Sequence, residues 1–173
     1  MGSVLLGQLY LGGFFGEGVE MAMVSDRCMR GAHAGPMGGG GLRAVEQQDW
    51  QSATEIPLGK VITLQGQTFR KQSLRGRVLA GPGSTVHIEG MNVTVNGDVL
   101  QHELPPRAGR GYQSLLEHLD GGVYKVVYEQ QAGLHSQTFT VGQNALFVMG
   151  DTRSQQCLDW MGVVPFSAVR GAR

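Results

Sequence analysis

Asn96-Gly97 lies between two short runs, Met91-Asn92-Val93-Thr94-Val95 and Asp98-Val99-Leu100. Apolar and polar residues alternate in the first run, and a period of two places alternate side chains on one face of a strand. Asn-Gly supplies the two positive-φ positions of a type I′ turn, so this stretch is expected to fold as a β-hairpin. The same punctuation recurs along the chain. Residues 60–64 read as a strand ended by Gly66, and residues 76–80 as another ended by the turn Gly81-Pro82-Gly83-Ser84. Residues 85–88 follow; residues 123–128 and 138–141 alternate; and Leu146-Phe147-Val148-Met149 is a buried-type run stopped by Gly150-Asp151. A single short helix is expected near residues 112–119. The fold class is therefore mainly β, an antiparallel sheet domain with short helices and short connections.

With 173 residues the chain can bury a core without help from disulfides or a metal. Formal net charge is zero, which leaves no global field to attract nucleic acid. The five histidines show no metal-ligand spacing, and neither cysteine belongs to a CxxC pair, so no metal or other cofactor is expected. Cys28 and Cys157 could form one disulfide, but two free thiols fit the sequence at least as well. No apolar run reaches the length of about eighteen residues that spans a bilayer. The best candidate, Val-Leu-Leu-Gly-Gln-Leu-Tyr-Leu-Gly-Gly-Phe-Phe from Val4 to Phe15, is short and diluted by glycine, and suits an interfacial or partner-docking segment.

Three regions are expected. Residues 1–30 form an N-terminal segment, a candidate remnant of a membrane anchor that also holds the candidate nucleophile. Residues 31–45 form a glycine-rich linker, because the consecutive glycines Gly38 to Gly41 disfavour regular structure. Residues 46–173 form the β domain.

Within that domain several motifs occur in order. Arg77-Val78-Leu79-Ala80-Gly81-Pro82-Gly83-Ser84-Thr85-Val86, followed by Val95-Asn96-Gly97, resembles the K-R-V-x-G-x-P-G-D-x-V box and V-N-G hairpin of type I signal peptidases. Phe147-Val148-Met149-Gly150-Asp151-Thr152-Arg153, continuing to Gly162-Val163-Val164-Pro165, resembles F-x-M-G-D-N-R-D-N-S-x-D-S-R-x-x-G-x-V-P. Glu117-His118-Leu119-Asp120-Gly121-Gly122-Val123-Tyr124 resembles that family's E-H-L-G-G-x-x-Y stretch, and Ala168-Val169-Arg170-Gly171-Ala172 its closing L-V-G-R-A. Together these cover roughly residues 76–173. The resemblance implies a large antiparallel β domain at a membrane surface, on the extracytoplasmic face, acting on preproteins or other extended peptide segments. A soluble peripheral protein fits the sequence equally well.

The family chemistry uses a serine hydroxyl as nucleophile and a buried, neutral lysine as general base. The residues that would carry it here are worn. Without gaps, Ser25 aligns with the family serine, while Cys28-Met29 is a rival match to its Ser-Met. Ser25-Asp26 also reads as an ordinary turn or helix cap. The lysine position is Gly76, which has no group to accept a proton. Arg77 cannot replace it, because a guanidinium stays protonated at any accessible pH. Lys71 is the candidate base nearest in sequence, five residues earlier, an odd offset that faces the other side of a regular strand. Arg77, Pro82, Gly83, Gly150, Asp151, Arg153 and Asp159 are the structural residues of the motifs. Turn-forming residues thus survive better than chemical ones.

Three readings follow from the sequence. The first is a divergent signal peptidase-like serine endopeptidase that still cuts exported preproteins, impaired by glycine at position 76. The second is a non-catalytic relative, a pseudoenzyme that binds a peptide by strand addition or a partner protein. The third is a chain whose first third departs from the ancestral sequence, motivated by the odd composition of residues 16–45.

Overall fold

The computed structural model describes residues 19–25, 27–29, 41–65, 73–104, 112–129, 136–154, 157 and 162–172. In chain order the strands are β1 (Val19–Ser25), β2 (Gly41–Glu46), β3 (Val61–Leu64), β4 (Ser73–Ala80), β5 (Thr85–Glu89), β6 (Asn92–Val95), β7 (Asp98–Val99) and β8 (His102–Glu103). They continue with β9 (Tyr112–Leu119), β10 (Gly122–Glu129), β11 (Ser136–Thr140), β12 (Ala145–Met149), β13 (Thr152–Arg153), β14 (Gly162–Pro165) and β15 (Val169–Ala172). Short 3-10 turns occupy Arg27–Met29, Ala53–Glu55 and Phe166–Ala168. The mainly β class expected from the sequence is what the chain adopts.

The turns form where the sequence places them. Asn96 and Gly97 take φ of 54° and 93°, and β6 pairs with β7 across them. Gly83 takes φ of 79° and the Ser84 amide donates to Gly81 O, closing a turn with Pro82 at its second position. Three sheets result. The largest runs β1-β2-β15-β3-β4-β12-β14, and β1 pairs in addition with β4. The ladder from β1 through β2, β15 and β3 to β4 therefore returns to its first strand. Gly171 makes this closure possible, because a Cβ there would collide with Glu46 O on β2. The other sheets run β13-β10-β9-β8 and β11-β5-β6-β7.

Two apolar clusters line the β4–β12 pair. One gathers Ile62, Leu64, Val78, Leu146 and Val148 with Ala53 and Ile56. The other gathers Leu79, Ala80, Val86, Ile88, Phe147 and Met149 with their neighbours. The β12 run is buried throughout because it has a strand on each side and a cluster on each face.

Two expectations need correction. Residues 112–119 are not a helix but strand β9, paired along its length with β10 across the turn Asp120-Gly121. The inward positions are Leu115, Glu117 and Leu119. A charged Glu117 on the buried face breaks the apolar alternation, and the remaining Leu115, Leu116 and Leu119 mimic helical spacing. The end of the expected linker is the second. Gly41 to Val45, taken as linker, belong to β2, and β1 lies in the main sheet between β2 and β4. Ladder bonds to β1 compensate the ordering entropy that glycine makes large. The Val4–Phe15 run and residues 31–40 lie outside the described residues.

Buried Glu117 has a specific partner set. Arg153, 1% exposed, donates from Nη2 to Glu117 Oε1 at 2.9 Å and from Nε to Gly150 O at 2.7 Å. His102 Nε2 lies 3.0 Å from Glu117 Oε2. Tyr128 donates to Met91 O at 2.8 Å and lies under the same guanidinium. The network fastens β9 and β10 to the Gly150-Asp151 turn. Burial alone would raise the Glu117 carboxyl, but Arg153 and the His102 hydrogen bond together outweigh it and hold it below its ordinary value of 4.5.

A group held below its unfolded value contributes stability that is present above that value and lost as pH falls through the folded one. Wild-type stability should therefore decline as pH drops below about 4.5, with Glu117 contributing to the loss. Glu117→Gln, which strands a buried guanidinium, should cost about 3–5 kcal/mol at neutral pH. It should also show a shallower acid decline. Denaturant titrations from pH 3 to 7, read by circular dichroism, check both.

Candidate active site

The two sequence boxes meet through one ion pair. Arg77 on β4 donates from Nε to Asp151 Oδ1 at 2.8 Å and from Nη2 to Asp151 Oδ2 at 2.6 Å. Its remaining Nη1 donates to Gly59 O at 2.7 Å, and its guanidinium stacks 4.1 Å from the Tyr124 ring centroid. Asp151 is fully buried, and its carbonyl accepts from the Val127 amide at 2.8 Å. One hydrogen bond from each of its three nitrogens and an aromatic ring against its face suit a buried guanidinium. Gly59 and Gly122 leave room for the Tyr124 ring, which a Cβ at either position would strike.

Gly76 immediately precedes this arginine. Its register partner is Ile62 on β3 and the side chain against it is Val148, both members of the apolar cluster that also holds Val78. A Cβ at position 76 would collide with Val148 Cγ1. Two apolar neighbours of the kind that push a lysine amine toward neutrality, Ile62 and Val148, are present. The amine is not, and Val148 fills the space through which its side chain would leave the backbone.

The chain around Ser25 is brought to the same place. Val24 and Ser25 pair in parallel with Ser73 and Leu74, so Ser25 stands at the register of Leu74, two residues from Gly76. The next segment, the 3-10 turn Arg27–Met29, packs against both β4 and β13. Within it the Cys28 backbone lies against Gly150, where a Cβ would meet Cys28 O and would approach Cys28 Cβ to 2.8 Å. Cys28 is bonded to Cys157, with Cα atoms 5.5 Å apart. A half-cystine has no thiol to ionise, so Cys28 offers no nucleophile while that bond stands.

Lys71 and Asp159 lie outside the described residues. Lys60 is the other lysine near the motif. Its carbonyl accepts from the Val78 amide, four residues beyond Leu74 on β4, or about 13 Å along the strand from the level of Ser25. Thr152, which stands at the asparagine of the second box, has a buried Oγ1 without a hydrogen-bond partner among the described residues. Among them no group of three or more His, Cys, Asp or Glu could hold a metal ion.

Sequence reasoning missed Val148 as the side chain that occupies the lysine space, and left open whether Cys28 pairs with Cys157, which it does. Val148 carried no signal, because a valine in a buried strand is commonplace. The cysteines did carry one. Cys28 lies three residues after Ser25, and Cys157 lies within the second motif, so two segments that must meet each bring a cysteine.

Comparison with known proteins identifies the motifs. The sequence profile of the family described as signal peptidase, peptidase S26, matches residues 21–172. Among solved structures, a signal peptidase I from Enterococcus faecalis V583 is 18% identical, with a match that covers 68% of this chain and 96% of that chain at a TM-score of 0.39. No curated protein matches the chain.

Glycine at position 150 is required by contact. Gly150→Ala should cost about 1–3 kcal/mol through overpacking against Cys28. Gly81→Ala, with nothing within 4 Å of the added Cβ, should change stability by less than about 0.5 kcal/mol. Thermal unfolding of the two variants side by side checks the contrast.

Proposed function

This chain belongs to the signal peptidase, peptidase S26, family, and from that premise we propose that it engages extended preprotein segments but is impaired in lysine-dependent cleavage. The observation that carries the reading is Gly76, with Val148 in the space a side chain would need. A serine hydroxyl is a weak nucleophile until a base takes its proton. Position 76 supplies no base. Arg77 beside it is fastened to Asp151 and does not deprotonate. In this reading Ser25 is the nucleophile candidate, supported by its backbone register two residues from Gly76. Lys71 is the rival base to exclude by substitution.

A non-catalytic binding role is the second reading. It is favoured by β14, which ends the order of the main sheet among the described residues and exposes Val163. An extended peptide can add to such an edge through backbone hydrogen bonds. The disulfide supports an oxidising, extracytoplasmic setting. Attachment to a membrane surface is part of the proposal. Among the described residues no helix is long and apolar enough to cross a membrane.

The test is restoration of the base. A preprotein with small residues before the scissile bond is incubated with oxidised wild type, Gly76→Lys, and Gly76→Lys combined with Val148→Ala. Wild type should leave the preprotein intact. The double variant should cleave it, and more rapidly than Gly76→Lys alone, because removing the Val148 methyls opens the path of the lysine side chain. Adding Ser25→Ala to the double variant should abolish the gain. Cleavage by oxidised wild type as fast as by the double variant would sink the reading.

A further inference from the structure

Gly76 removes the base that a hydroxyl needs, but a thiol does not need that base. A free cysteine ionises near pH 8.5, so a useful fraction, on the order of a tenth, is already thiolate at about pH 7.5. The structure puts one cysteine at the junction of the motifs. Cys28 belongs to the turn directly after β1, its backbone is pressed against Gly150, and the turn packs on the strand that carries Gly76. Its sulfur is held by Cys157, which is 3% exposed, whereas Cys28 itself is half-buried. Cys157 is anchored in turn by its amide, which donates to Ser154 O at 2.9 Å just after the second box.

We propose that Cys28 is a masked thiol nucleophile, held inactive by its disulfide to Cys157 and released by a dithiol reductant to act on acyl substrates. The proposal rests on the site placement given above, and its readout does not depend on preprotein cleavage. Release is thiol–disulfide exchange. One reductant thiolate attacks the Cys28 sulfur, Cys157 leaves as thiolate, and the second reductant thiol displaces Cys28. The reductant becomes a disulfide, having delivered two electrons and two protons, and both protein cysteines are thiols. The Cys28 thiolate then adds to an acyl carbon. An S–C bond forms, and the C–O bond of an ester, or the C–N bond of a peptide, breaks. The departing alcohol or amine takes its proton from solvent water. A second water hydrolyses the thioester, which returns the thiol and releases the carboxylic acid.

The experiment uses the full chain and a p-nitrophenyl ester of a short peptide ending in alanine, whose leaving group needs no general acid. Nitrophenolate release is followed for oxidised protein and for protein reduced with dithiothreitol and freed of it. Acyl-protein is trapped by acid quench and its position mapped by mass spectrometry. Reduced wild type should exceed oxidised wild type by about tenfold or more, with the acyl group on Cys28. Cys157→Ala should show the fast rate without any reductant, and Cys28→Ala should stay at the oxidised level in both conditions. Equal rates for reduced wild type and reduced Cys28→Ala, or an acyl group on another residue, would overturn the proposal. Should Cys157→Ala fail to fold, reduced wild type against reduced Cys28→Ala still decides it. A positive result here with intact preprotein above would leave the impaired lysine chemistry standing; preprotein cleavage by oxidised protein would fail that reading alone.

Discussion

The bidentate contact between Arg77 and Asp151 is the interaction on which the arrangement depends. It joins the strand of the first box to the turn of the second, 74 residues later, across a fully buried carboxylate. Burying both charges is costly, and the pair is tolerable because its own polar groups are matched. Gly59 O takes the third guanidinium N–H, the Val127 amide binds the Asp151 carbonyl, and Tyr124 covers the guanidinium face. Two glycines, Gly59 and Gly122, exist in their present form because the Tyr124 ring fills the space next to them. Arg153 then fixes the same turn from the other side through Gly150 O and Glu117. One ion pair thus fastens the middle of β4, next to Gly76, to the turn after β12 on which the Cys28 segment packs.

Much of this is legible in the amino-acid sequence. The turns at Gly81-Pro82-Gly83-Ser84, Asn96-Gly97 and Gly150-Asp151 demand local backbone geometry that few residues other than these provide, so they announce strand ends. Motif resemblance names Arg77, Asp151 and Arg153, though not which carboxylate each arginine meets. What fails to show is set by long-range contact. Strand β9 looks helical because its inward Glu117 is neutralised by an arginine 36 residues away. Strand β2 looks like linker because glycines are poor strand formers in isolation, yet β1 supplies the ladder partners. Val148 is an ordinary core residue until the backbone of Gly76 is placed beside it.

The parts that build the scaffold and the parts that perform chemistry have separate physical requirements here. The scaffold needs turns, a satisfied ion pair and two apolar clusters, all of which are present. Lysine-dependent hydrolysis needs, in addition, an amine at one position on β4. That position has Ile62 and Val148 beside it, but lacks the amine and the room for it. A disulfide then ties the turn after β1 to the segment after the second box, the same two segments that the packing of Gly150 on Cys28 brings together.

The central claim, a peptidase scaffold that holds an extended peptide without cutting it, has a direct test. Oxidised wild-type protein is titrated calorimetrically with a peptide that spans a signal-peptide junction, and the peptide is weighed by mass spectrometry afterwards. The account predicts saturable binding with the peptide recovered at its full mass. Recovery of two fragments, cut after the small residue of the junction, would contradict it.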